Sequence, residues 1–139
     1  MNTELRLSLK NNPNEVIRVM GQVETMLTSE SLQDRVIYQV NLVLEEILTN
    51  IIKYAYEDNE IHEILVRLRL EPDLIRIRFE DDGGEFDPRQ APDPDLECSL
   101  EDTRVGGLGL HLVRASAELM EYRRVGSRNC LTVCLNRNN

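Results

Sequence analysis

No apolar run in this sequence is long enough to span a bilayer, and its N-terminus carries no secretory signal pattern. Both absences argue against a membrane protein and for a cytoplasmic one. Basic charge is scarce as well. The 16 lysines and arginines face 25 aspartates and glutamates, for a net charge of -9. That balance argues against a nucleic-acid partner, whose phosphates need a basic surface. A single nucleotide is still compatible with it, because a metal and backbone amides can meet that charge locally. Cysteine is limited to Cys98, Cys130 and Cys134. An odd number without a secretory signal points to free thiols in a reducing compartment. No second thiol pair accompanies Cys130 and Cys134, and neither histidine is spaced to join them, so they read as strand cysteines rather than metal ligands. There is no internal repeat and no low-complexity tract.

What is present is an ordinary globular composition, 41% hydrophobic and 29% charged, over 139 residues. That length suits one domain, 1–139, around one core. Leu5, Leu7 and Leu9 alternate with polar residues and mark a half-buried strand over Thr3 to Lys10. Asn12 then fits an N-cap, Pro13 the first helical position and Glu15 the reciprocal position of a capping box, opening a helix to about Thr28. Ser31 is expected to cap a second, longer helix ending near Tyr56. Its apolar positions, from Val36 through Val40, Leu44 and Ile51 to Ala55, recur at helical spacing. Two alternating strands follow, Ile64 to Leu70 and Ile75 to Phe79, joined by Glu71-Pro72-Asp73. Their polar faces carry Arg67, Arg69, Arg76 and Arg78, so one side of the sheet should face water. An acidic, proline-bearing segment runs from Glu80 to Val105. Gly106-Gly107-Leu108-Gly109-Leu110 then leads into a helix to about Met120. Two closing strands, Glu121 to Val125 and Cys130 to Leu135, flank a turn over Gly126-Ser127-Arg128-Asn129. The order predicts an α+β two-layer sandwich: a mixed, mostly antiparallel sheet covered on one face by three helices.

Three short signals stand outside this packing pattern. Glu46 and Asn50 lie four residues apart on the long helix and so share a face. Such a pair suits a general base beside a neutral ligand for a hard cation, and equally suits a solvated face. Asp81 ends a strand, with Gly83 two residues on. A carboxylate there can accept from the exocyclic amine of a purine, with the glycine letting a flat ring approach the backbone; an acidic turn is the plainer alternative. Gly107-x-Gly109 opens a helix, where bare amides and the helix dipole favour an anion, or where the glycines serve only as a hinge. No Gly-Lys-Ser/Thr follows, so this is not a Walker loop, and no strand leads directly into it, so it is not a Rossmann turn.

Together, Glu46-x-x-x-Asn50, Asp81-x-Gly83 with Phe86-Asp87-Pro88, and Gly107-x-Gly109-Leu110 resemble the N, G1 and G2 boxes of the GHKL (Bergerat) ATP-binding fold. That fold is shared by gyrase, Hsp90, histidine kinases and MutL. The short chain and its DDG…FDP wording look most like the anti-sigma factor serine/threonine kinase branch, of the RsbW/SpoIIAB type. The resemblance implies ATP and Mg²⁺ as cofactors and Glu46 as the catalytic base. It implies Asn50 as the magnesium ligand, Asp81 and Gly83 as adenine contacts with Phe86 beside them, and Gly107, Leu108, Gly109 and Leu110 at the phosphate-facing turn. The segment from Asp87 to Val105 would be the ATP lid, with Arg104 near its end as a γ-phosphate contact. A STAS-type anti-anti-sigma protein is the implied substrate and a sigma factor a further partner, with a homodimer as the common assembly. The other expectation is a nucleotide-gated binding module without turnover. The chain departs from the pattern at Tyr54, where the sporulation-type kinases carry histidine, and at Glu85, where many relatives have a second glycine. Lys53 and His111 read as an exposed helix lysine and a packed histidine.

Overall fold

The computed structural model describes residues 3–88 and 107–138. The elements run β1 (Thr3–Lys10), α1 (Pro13–Ser29), α2 (Asp34–Tyr54), β2 (Glu63–Leu70), β3 (Leu74–Asp81), α3 (Gly107–Ser116), β4 (Leu119–Val125) and β5 (Arg128–Asn136). The five strands form one sheet in the order β1-β2-β3-β5-β4. The sheet expected to be mostly antiparallel is antiparallel at every described pairing. The three helices pack their apolar faces on one side of it, as the α+β sandwich reading expects. Alternation decides which side. Ile75, Ile77 and Phe79 of β3 and Leu131, Val133 and Leu135 of β5 are buried and meet Val40, Leu44 and Leu48 of α2 in one core. The intervening positions face away from the helices, because side chains on a strand point alternately to its two sides.

The helix ends show how short-range chemistry sets the frame. The Asn12 side chain accepts from the Asn14 amide at 2.9 Å and caps α1, with Pro13 following. Glu15 does not close the expected box on Asn12. It accepts from the Lys10 amide at 3.1 Å instead, tying α1 to the end of β1. Ser31 does not cap α2 either; that helix begins at Asp34 after Gln33 and has no side-chain cap. Ser31 closes α1. Its φ is 60°, its amide donates to the Thr28 carbonyl at 3.0 Å, and the Leu32 amide donates to the Leu27 carbonyl at 3.2 Å. These two bonds form a Schellman motif, whose left-handed position glycine normally fills. A side chain there costs about 1–2 kcal/mol. Ser31→Gly is therefore expected to raise stability by roughly 0.5–1 kcal/mol in denaturant unfolding. An unchanged or lower midpoint would count against the motif.

Two other expectations shift. The last helix stops at Ser116, so Met120 belongs to β4 rather than to a helix. The final hairpin turns on two residues, Gly126 and Ser127, because Val125 pairs directly with Arg128. Gly126 takes the positive φ of 60° that such a turn requires. Asn129 is thereby freed from the turn and enters β5 opposite Asp81. Most of the Glu80 to Val105 segment, including Arg104, lies outside the described residues.

Candidate functional site

Helix α2 acts as a rail along which the three sequence signals dock. At its C-terminal end sits the β3 exit loop: the Gly84 amide donates to the Ala55 carbonyl at 2.7 Å. A Cβ on Gly83 would lie 2.6 Å from that same carbonyl oxygen and 2.5 Å from the Ala55 methyl, so only glycine fits. One turn back along the rail, Asn50 is buried, with 7% exposure. Its Nδ2 donates to the Glu46 carbonyl at 2.6 Å, which commits the donor end of the carboxamide to the helix and leaves Oδ1 as an acceptor. A further turn back, the Glu46 carboxylate lies against the start of α3. A Cβ added at Gly109 would overlap all three atoms of that carboxylate.

Asp81 is the other pole. It is 4% exposed, and burial pushes its carboxyl above the ordinary value, opposed by its hydrogen bonds to Asn129 and Gly83. Both bonds end on Oδ1: Asn129 Nδ2 donates at 2.9 Å and the Gly83 amide at 2.9 Å. Among the described residues no hydrogen bond reaches Oδ2. Asp81, Asn50, Phe86, Pro88, Tyr122 and Asn129 line one cavity of about 20 Å³, room for about one water molecule. This cavity is smaller than an adenine ring, so a nucleotide base enters only if the walls of the cavity open.

Of the residues the sequence singled out, Asn50, Asp81 and Phe86 share one cavity. Gly83 packs on α2 at Ala55, and Gly109 on Glu46. Gly107 is the first residue of α3. The Leu110 side chain is a core residue at 4% exposure and does not line the cavity. Arg104 and the side chain of Leu108 lie outside the described residues. Lys53 lines a groove with Pro13 and Met20 of α1, away from this cavity. Tyr54 is exposed, so the departure from histidine there leaves the cavity untouched.

Three residues were missed by the sequence reading. Asn129 bonds to Asp81 and also donates to the Gly84 carbonyl at 2.8 Å. Arg124 donates to the Gly83 carbonyl at 2.7 Å and to Asn129 Oδ1 at 3.0 Å. The Tyr122 hydroxyl donates to that same Oδ1. The final hairpin therefore clamps the Asp81–Gly84 loop. One signal was legible: Asn129 shares the parity of Leu131, Val133 and Leu135, so it is a polar residue on the core side of β5.

The two glycines should respond differently to alanine. At Gly83 the obstruction is backbone, so Gly83→Ala is expected to cost about 1–3 kcal/mol in unfolding experiments. At Gly109 it is the end of a flexible side chain, so Gly109→Ala should keep its melting temperature and instead displace Glu46. Equal stability losses in the two variants would contradict these packing assignments.

His62 flanks the same loop. Its Nε2 lies 2.7 Å from Asp58 Oδ1, its Nδ1 3.1 Å from Asp82 Oδ1, and its ring stacks on Tyr56 at 4.2 Å. The hydrogen bond to Asp58 is the main cause holding His62 above its ordinary value of 6.5, with Asp82 adding to it. A raised folded-state value means that this stabilisation is complete below pH 6.5 and is lost as pH rises through the folded value. The melting temperature should fall across that window, and His62→Gln should flatten the fall. A slope unchanged in the variant would remove His62 from the account.

The histidine kinase-like ATPase domain profile matches residues 9–135. The serine/threonine-protein kinase BtrW of Bordetella bronchiseptica is 32% identical over 99 residues, covering 71% of this chain and 70% of its own. The serine-protein kinase RsbW of Listeria monocytogenes is 27% identical over 117 residues, covering 81% of this chain and 74% of its own. Among solved structures, the Acinetobacter baumannii histidine kinase AdeS superposes with a TM-score of 0.52 at 15% identity, over 96% of this chain and 68% of that one. That last likeness is one of fold alone. No helix among the described residues is long and apolar enough to cross a membrane. The chain belongs to the histidine kinase-like (GHKL) ATPase family, in its anti-sigma serine/threonine kinase branch.

Proposed function

We propose that this chain is an ATP- and Mg²⁺-dependent protein serine/threonine kinase acting as an anti-sigma regulatory factor, with a STAS-type anti-anti-sigma protein as substrate. One observation carries the reading: α2 holds Glu46 against the N-terminal turn of α3, and one turn on holds Asn50 in the cavity of Asp81. A base, a metal ligand and an acceptor for a purine amine thus lie along one helix face and its margins. Asp81 Oδ2 accepts from the adenine 6-amino group while Oδ1 stays fixed by Asn129 and Gly83. The amides of Gly107 and Gly109, at a helix N-terminus, face phosphate oxygens. Asn50 Oδ1 is a hard oxygen donor that fits Mg²⁺, which takes few protein ligands beside phosphate and water. Bound there, the ion neutralises charge on the transferring phosphoryl group. Glu46 accepts the proton of the attacking serine hydroxyl. Its carboxyl is held above the ordinary range, chiefly by burial and then by Glu45, with Lys53 opposing. A desolvated carboxylate of this kind is a stronger base.

The test is incubation with Mg-ATP and a candidate STAS partner. Phosphoserine that disappears with Glu46→Ala supports the kinase. Partner binding that changes with nucleotide but yields no phosphate supports instead a nucleotide-gated module that sequesters a regulator, such as a sigma factor. Gel filtration of the same samples tests the homodimer.

A further inference from the structure

The face of the sheet turned away from the helices carries a concentration of arginine unlike the rest of this acidic chain. Arg67 pairs directly with Arg78 across β2 and β3, and Arg69 with Arg76. Like charges directly opposite on a sheet destabilise it, so two such pairs side by side need a reason outside folding. With Arg123 of β4 these four line a depression of about 290 Å³ that has one acid, Glu121, in its wall. A second depression of about 380 Å³ shares Arg67 and Arg78 and continues past Leu65 to Arg6 and Ser8 of β1. The two adjoin at Arg67 and Arg78, and their linings together form a trough-like surface reaching from β1 to β4.

The local acids do not saturate it. Glu4 pairs with Arg6 and Arg67, Glu71 with Arg76 at 2.6 Å and Glu80 with Arg78 at 3.0 Å. A guanidinium carries five N–H donors, so each pair leaves donors over. Arg69 and Arg123 make no ion pair with a described residue. None of the positive residues lining the trough is lysine; the chain's lysines are Lys10 and Lys53. Arginine, not lysine, matches the planar, two-oxygen geometry of a carboxylate.

We infer that this trough is a docking surface for a short acidic peptide segment of a partner protein. Charge complementarity selects that occupant over the alternatives. A second copy of this chain related by a twofold axis would set arginine against arginine. A long polyanion such as nucleic acid would meet the repulsion of a chain with net charge -9. A short segment stays inside the positive trough. Crossing five strands at about 4.8 Å spacing spans about 19 Å, or roughly six extended residues. The surface lies on the opposite side of the sheet from the Asp81 cavity, so a partner held there leaves the cavity open.

The test uses the full chain and a fluorescein-labelled hexapeptide of alternating glutamate and aspartate, read by anisotropy. Binding is expected, weakening with salt, and absent for the glutamine–asparagine analogue. Arg69→Ser with Arg123→Ser orphans no acid, so the fold should hold, checked by its melting temperature and by nucleotide binding. This double variant should lose about tenfold or more in peptide affinity. Failure of the acidic peptide to bind at millimolar concentration, equal binding by the neutral analogue, or equal binding by the variant overturns the inference. So does binding of inorganic tripolyphosphate without the peptide, or sedimentation showing a dimer that the double variant dissociates.

Discussion

Glu46→Gln is expected to slow phosphoryl transfer by about 10²–10⁴-fold, the range lost when a positioned general base is removed. Glutamine keeps the size of the side chain and its packing against Gly109, but it cannot accept a proton from an attacking hydroxyl. Nucleotide affinity should stay nearly unchanged, because Glu46 lies one helical turn from Asn50 and does not line the cavity that holds Asp81. The split between rate and affinity is the informative part. A structural role for the carboxylate would move both together, or would lower the melting temperature. Single-turnover phosphoserine formation, alongside calorimetric titration of ATP, separates these outcomes. A rate within about tenfold of the parent would remove Glu46 from the chemistry.

The second large effect is at Asp81. Asn129 Nδ2 and the Gly83 amide both donate to Oδ1 at 2.9 Å. In Asp81→Asn these donors hold the carboxamide oxygen at the Oδ1 position and so force Nδ2 into the place of Oδ2. The ligand's amino group then meets a donor where it needs an acceptor. Losing a hydrogen bond to a charged partner costs about 1.5–3 kcal/mol, or roughly 10–150-fold in ATP affinity. The same geometry predicts a change of preference. Inosine triphosphate, which presents a carbonyl at that position, should lose far less than ATP and gain relative to it. Parallel losses for both nucleotides would show that Asp81 does not read the base. Asn129→Leu should weaken ATP binding in the same direction, by leaving Asp81 without its lateral restraint.

The sequence carried the frame because its periodicities are long and uninterrupted. Eight buried apolar positions on α2 and the strict alternation of β2 and β3 leave one way to bury them. It carried the three poles of the site because each is a local pattern of residue types. It did not carry the ends of elements. Ser31 reads as an N-cap in any one-dimensional scan, yet here it takes a left-handed conformation to finish the previous helix, a choice set by the Leu27 and Thr28 carbonyls. Glu15 found the Lys10 amide because β1 brings it within reach, which no local rule encodes. The clamp from Arg124 and Asn129 was hidden for a similar reason. Asn129 sits by a glycine turn and looks like a turn residue, and Arg124 looks like an ordinary strand residue, until the register of β5 on β3 sets Asn129 opposite Asp81.

The most direct measurement of the central claim is a crystal structure with Mg²⁺ and a non-hydrolysable ATP analogue. The adenine amine is expected within hydrogen-bond distance of Asp81, the metal on the Asn50 carboxamide, and the γ-phosphate at the first turn of α3, within reach of the Glu46 side chain. Nucleotide bound elsewhere, or an Asn50 side chain turned away from the phosphates, would contradict the claim.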